Sequence, residues 1–154
     1  MRKADVIIPT FKPGDKLEKL LRRLLEQSVP VDRVIIMNTE EKYWDAERFE
    51  SLFEGEDTKV TVCHIRQSEF DHGRTRHEGI LKSDADVCIC MTHDCVPYDR
   101  NLVKELLEAL DASERVAAAY ARQLPAADCG VIERYTRDFN YPAVSRLKGK
   151  EDED

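Results

Sequence analysis

The stretch CICMTHDCVP, residues 88–97, brings Cys88, Cys90, His93, Asp94 and Cys95 together in a run that otherwise reads as a buried strand. Two chemistries compete for these residues. Sulfur and nitrogen ligands suit zinc, but Cys88 and Cys90 would share one face of a central strand among packed helices, while His93 and Cys95 lie beyond its tip. Structural zinc sites usually draw paired Cys-x-x-Cys knuckles from two loops. Cysteine as a small apolar filler is the expected role here. Asp94 is the residue left over. A carboxylate at a strand tip suits a hard divalent cation, and Mg²⁺ or Mn²⁺ takes one or two carboxylates together with diphosphate oxygens. The plainer role is a turn residue before Pro97 and the following helix, and one aspartate alone does not decide.

A second concentration of chemistry is EFDHGRTRHEG, residues 69–79, which sets Asp71, His72, Arg74, Arg76 and His77 around an expected helix start. Guanidinium groups beside helix-terminal amides suit phosphate oxygens, which accept paired hydrogen bonds. A solvated, charged first turn is the simpler alternative.

Positioning these groups requires an alternation of strands and helices. Residues 5–9 (DVIIP) read as a strand, and the turn at Lys12, Pro13 and Gly14 leads into a helix with Leu17, Leu20, Leu21, Leu24 and Leu25 on one stripe. Asp15 and Glu18 have the spacing of a capping box, and the helix is expected to end near residues 28–30. Strands over 33–37 and 59–65 flank a helix around 45–53, and a helix over 73–83 precedes a strand over 86–91. A helix marked by Leu102, Val103, Leu106, Leu107 and Leu110 leads to a fifth strand over 115–121, and a short helix is expected around 131–137. This order predicts an α/β fold, a mostly parallel sheet with helices on both faces.

In such a sheet ligands sit outside the carboxyl ends of the strands. That edge gathers Pro9, Thr10 and Phe11, then Asn38, Thr39 and Glu40, then residues 67–76, then Thr92, His93, Asp94 and Cys95.

The composition narrows the classes. A chain of 154 residues with 42% hydrophobic residues can bury one ordinary core. Its net charge of −7 argues against a broad nucleic-acid-binding face, although Glu151, Asp152, Glu153 and Asp154 supply four of the negative charges. There is neither a membrane-span-length apolar run nor a signal-peptide pattern, and five cysteines are an odd number for a disulfide framework, so the expected compartment is the cytoplasm. Residues 147–154 are expected to form an acidic, disordered tail after one domain over 1–146.

IPTF at 8–11, Gly73 with Arg76-His77-Glu78-Gly79, and Thr92-His93-Asp94 succeed one another in an order that resembles the nucleotide-sugar-binding half of a family 2 glycosyltransferase over about residues 4–125. EFDHGRTR, RQLP at 122–125 and FNYP at 139–142 are most similar to the rhamnosyltransferase-like branch. The resemblance implies a Rossmann-like fold of the GT-A type, here truncated, and inverting transfer from a nucleoside diphosphate sugar such as deoxythymidine diphosphate rhamnose to a saccharide or lipid-linked acceptor. It implies work in cell-surface polysaccharide synthesis, at the inner face of the membrane with peripheral association. It places Thr10 and Phe11 near the nucleobase, Asn38 at the base or ribose, Arg76 near the diphosphate and Asp94 on Mg²⁺ or Mn²⁺, with Pro9, Thr39, Arg74 and His93 as further substrate-binding residues. Thr92 stands where relatives carry the first acidic residue of Asp-x-Asp. The catalytic base is expected outside this chain, and the alternative is a nucleotide-sugar-binding module without turnover.

Overall fold

The computed structural model describes residues 2–126 and 128–149. The chain divides into two compact units, Met1–Val116 and Ala117–Asp154, so a boundary falls within the span expected as one domain. Of the expected acidic tail, residues 150–154 lie outside the described residues.

The first unit is built on four strands: β1 (Ala4–Phe11), β2 (Arg33–Thr39), β3 (Lys59–Ile65) and β4 (Val87–Cys90). They form one parallel sheet in the order β3-β2-β1-β4, with Thr10 in register with Asn38, Asn38 with His64, and Phe11 with Thr39. β1 and β2 are buried along nearly their whole length, which is why their sequences read as continuous apolar runs.

Helices α1 (Asp15–Leu25), α2 (Ala46–Glu50) and α4 (Leu102–Asp111) place Leu17, Leu20, Leu21, Leu24, Phe49, Val103 and Leu107 in one cluster with Val6, Ile8, Val34 and Ile36. Each fully buried leucine contributes about 2 kcal/mol by leaving water. Helix α3 (His72–Ile80) lies against β1 and β2, and its Gly79 meets Ile7 and Met37 of the second cluster. A Cβ built on Gly79 would stand 2.5 Å from Ile7 Cγ2 and 3.3 Å from Met37 Cγ. Only glycine lets the helix approach this closely. The sheet is covered on both faces, as expected.

Three local expectations need correction. Asp15 and Glu18 do not form a capping box: Gly14 is the N-cap, and both carboxylates are instead drawn to Arg48, Asp15 to Nη2 at 2.5 Å and Glu18 to Nε at 2.9 Å. A partner on α2 offers two charged hydrogen bonds, which outcompete a local cap. No strand is described over 115–121; Val116 N donates to Ser113 O at 3.0 Å in a turn, and the three alanines after it have weak strand propensity. β4 lies at an edge of the sheet among the described residues, so Cys90 is exposed and Cys88 only half-buried beside Ile7, rather than both being core filler of a central strand.

In the second unit, α5 (Val131–Asn140) runs longer than expected, and Tyr135 and Phe139 stack at 6.2 Å.

Candidate functional site

The carboxyl ends of β1, β2 and β3 are joined by side chains. The Thr10 hydroxyl donates to Asn38 Oδ1 at 3.0 Å, and Asn38 Nδ2 reaches the Glu40 carbonyl at 3.2 Å and His64 Nδ1 at 3.1 Å. Because the amide nitrogen is a donor, His64 Nδ1 accepts and its proton resides on Nε2. Asn38 is completely buried and Thr10 nearly so. The sequence resemblance puts Asn38 at a base or ribose; in this structure its amide bonds within the protein and holds the strand ends in place. The Thr39 hydroxyl is the buried side-chain oxygen left without a partner among the described residues, and Thr39 is in register with Phe11.

Beyond β2 the chain turns sharply. Glu40 takes φ 65°, its amide donates to Ile65 O at 2.8 Å, and its carboxylate accepts Gln67 N at 2.8 Å. The Gln67 amide is the main reason that the Glu40 carboxyl titrates below the ordinary range, with Lys42 and Arg66 adding to the effect against partial desolvation. A single 3₁₀ turn, Glu41–Tyr43, then presents Tyr43 edge-on to Phe11, with ring centroids 5.6 Å apart. Lys12, with φ 49°, places its ammonium 5.1 Å from the centroid of each ring, and Lys42 lies 5.0 Å from Tyr43. A non-glycine residue in left-handed backbone costs about 1–2 kcal/mol, and an exposed cation–π contact returns about 0.5–1 kcal/mol. The arrangement therefore gains little stability. Sequence reasoning singles out Phe11 but neither Tyr43 nor His64; an aromatic residue in an otherwise polar stretch is the available signal.

After β3, Asp71 caps α3 by accepting from Gly73 N at 3.0 Å and Arg74 N at 2.8 Å. The Arg74 amide chiefly holds its carboxyl below the usual aspartate range, helped by the Gly73 amide and opposed by desolvation. The two arginines expected as a phosphate cradle are both engaged: Arg74 Nε pairs with Glu78 at 2.8 Å, and Arg76 Nη1 donates to the His72 carbonyl at 2.7 Å.

The fourth loop carries His93 and Asp94 through a turn in which Cys95 N donates to Thr92 O at 3.1 Å. Gln27, just after α1, anchors the segment leading into α4: it donates to the Asp99 carbonyl at 2.9 Å and accepts Val103 N at 3.2 Å, which satisfies an amide at the start of that helix. Asp94 is exposed, and the Thr92 hydroxyl is the first cause that keeps its carboxyl below the ordinary value, with its own backbone amide, His93 and Lys16 also lowering it against partial burial. The Thr92 hydroxyl also lies 3.0 Å from Cys95 Sγ. Among the described residues no three His, Cys, Asp or Glu side chains converge as metal ligands. An ionised single carboxylate fits a Mg²⁺ or Mn²⁺ ion that takes its other oxygens from a diphosphate and water.

A parallel sheet with polar groups gathered at its carboxyl edge defines a Rossmann-like ligand-binding fold. Residues 5–152 match the family model described as Glycosyl transferase family 2, and the chain belongs to that family. It is 30% identical over 152 residues to the O-antigen chain rhamnosyltransferase RfbN of Salmonella typhimurium, covering 97% of this chain and 46% of that protein. It is 26% identical over 149 residues to the O-antigen chain rhamnosyltransferase WbaN of Salmonella anatum, covering 96% and 45%. The chain thus spans about half the length of the curated relatives it matches. Among solved structures it is similar to S. aureus TarS 1–349, with TM-score 0.60 and 17% identity over 80% of this chain and 38% of that one. The same TarS fragment in complex with UDP-GlcNAc gives TM-score 0.56 at 14% identity, covering 80% and 37%. These likenesses establish the GT-A-type fold. No described helix is long and apolar enough to cross a membrane.

Proposed function

We propose that this chain is the nucleotide-sugar-binding part of an inverting glycosyltransferase that moves rhamnose from a nucleoside diphosphate sugar to a saccharide or lipid-linked acceptor in cell-surface polysaccharide synthesis. The observation that carries the reading is similarity along nearly the whole chain to two O-antigen chain rhamnosyltransferases. Polysaccharide assembly on a lipid-linked acceptor would place the enzyme at the cytoplasmic face of a membrane.

In this reading the strand-end loops share the work. Phe11 offers an exposed ring to the base, and the buried Thr10–Asn38 bond keeps the ends of β1 and β2 in register beneath it. Asp94 holds Mg²⁺ or Mn²⁺, which supplies positive charge to the departing diphosphate. Arg76, one turn into α3, exchanges its contact with the His72 carbonyl for a phosphate oxygen, a charge-assisted bond in place of a neutral acceptor. His93 lies beside Asp94 and adds to the electropositive surroundings when protonated. Arg74, already paired with Glu78, contributes less than Arg76.

Calorimetric titration of this chain with a panel of nucleoside diphosphate sugars, with Mn²⁺ and with chelator, tests the reading. Binding of a deoxythymidine diphosphate sugar that strengthens with Mn²⁺ supports it. Absence of binding to every nucleotide sugar in the panel rejects it.

A further inference from the structure

Phe11 and Tyr43 are exposed by 38% and 36%, both at the ligand edge of the sheet, and one ammonium covers both rings. Lys42 has Glu40 as an ion-pair partner at 3.6 Å, whereas Lys12 has none among the described residues. The unpaired lysine is also the one in left-handed backbone, which directs it back over the rings instead of out along the strand. The Tyr43 backbone N–H donates to the Glu40 carbonyl at 3.1 Å, and the Glu40 N–H in turn donates to Ile65 O of β3 at 2.8 Å, so the turn that carries the ring is tied to the sheet.

We infer that Lys12 is a diphosphate ligand stored on the Phe11 and Tyr43 rings, and that Tyr43 supplies a stacking face for the base, an inference that rests on the nucleotide-binding reading above. A planar base and an ammonium compete for the same ring faces. Stacking of a base covers far more ring area than the ammonium does, so the base displaces Lys12. The released ammonium then finds what the rings could not offer, an anionic oxygen within reach of its flexible stem. Base and phosphate are thereby recognised together. A nucleoside lacking the diphosphate would evict the lysine without giving it a new partner, so the site selects a nucleoside diphosphate over its fragments.

The probes are deoxythymidine diphosphate and uridine diphosphate, titrated calorimetrically into this chain and into Lys12→Met, Lys12→Arg and Tyr43→Leu at several salt concentrations. Lys12→Met is expected to weaken nucleoside diphosphate binding about tenfold and to flatten its salt dependence, with Lys12→Arg restoring both. Tyr43→Leu is expected to weaken binding by a similar factor at every salt concentration. Thermal melting checks that each variant folds, which the exposure of both side chains favours. Equal affinity of Lys12→Met and the unaltered chain overturns the role of Lys12 while leaving nucleotide binding intact. Failure of the unaltered chain to bind either diphosphate overturns the nucleotide-binding reading, and this inference with it.

Discussion

The Thr10 hydroxyl and the Asn38 carboxamide oxygen meet at 3.0 Å across the paired ends of β1 and β2, inside a site where both residues are buried. Asn38 spends its remaining donors on Glu40 O and His64 Nδ1, so one amide joins three strand ends. Asn38→Leu is expected to lower stability by about 1–3 kcal/mol, the cost of leaving buried polar partners unsatisfied. Urea unfolding measures it, and the loss should be accompanied by a shift of the His64 ring resonances. A variant as stable as the parent would show that water replaces the amide.

Gly79→Ala is expected to destabilise the chain by about 1–3 kcal/mol through overpacking. Ile7 is β-branched and completely buried, so its methyl cannot swing away from the new Cβ. Denaturant titration with an unchanged m-value would locate the effect in the folded state.

Asp94→Asn is expected to remove the metal-dependent part of nucleotide affinity while leaving the chain as stable as before, because the residue is exposed. The measurement is binding of a nucleoside diphosphate with Mn²⁺ and with chelator. A metal effect of about tenfold in the parent and none in the variant is the outcome expected; an equal metal effect in both would move the ion elsewhere.

The Asp71 carboxyl is held down by the amides of Arg74 and Gly73, so its folded-state pKa is below its unfolded one. Its contribution is present above the unfolded value and disappears as pH falls through the folded value, which lies under the ordinary aspartate range. Asp71→Asn keeps an effective N-cap but has no charge to lose. Urea midpoints tracked from neutral to acid pH should therefore fall less steeply in the variant. Identical profiles would mean that the cap acts through geometry alone.

Where the physics is local, the sequence was sufficient. The leucine stripe of α1 and the apolar runs of β1 and β2 carry their own periodicity; Asp71 and Asp94 follow β3 and β4 as expected, while Thr10 and Asn38 lie in the last residues of β1 and β2, which run two residues further than the apolar runs alone mark. What escaped depends on partners distant in the chain. Asp15 and Glu18 look like a cap until Arg48 is brought beside them by α2. Cys90 looks buried until the strand order puts β4 at an edge of the described sheet. The part that Asn38 plays in joining strand ends shows only once the register brings Thr10 and His64 beside it. Residues 115–121 look like a strand by position in an alternating pattern, yet three successive alanines supply little preference for extended backbone.

Among the described residues, the two non-glycine positions with positive φ are Lys12 and Glu40, one after β1 and the other after β2. A search for heat-resistant variants, conducted with no knowledge of function, should thus be drawn to the ligand edge, because glycine or asparagine relieves such backbone more readily than lysine or glutamate. The hardier proteins it returns would carry their gains where the ammonium and the Gln67 tether are lost. Stability left unclaimed by selection at these two positions would then coincide with the edge at which we propose that the nucleotide binds.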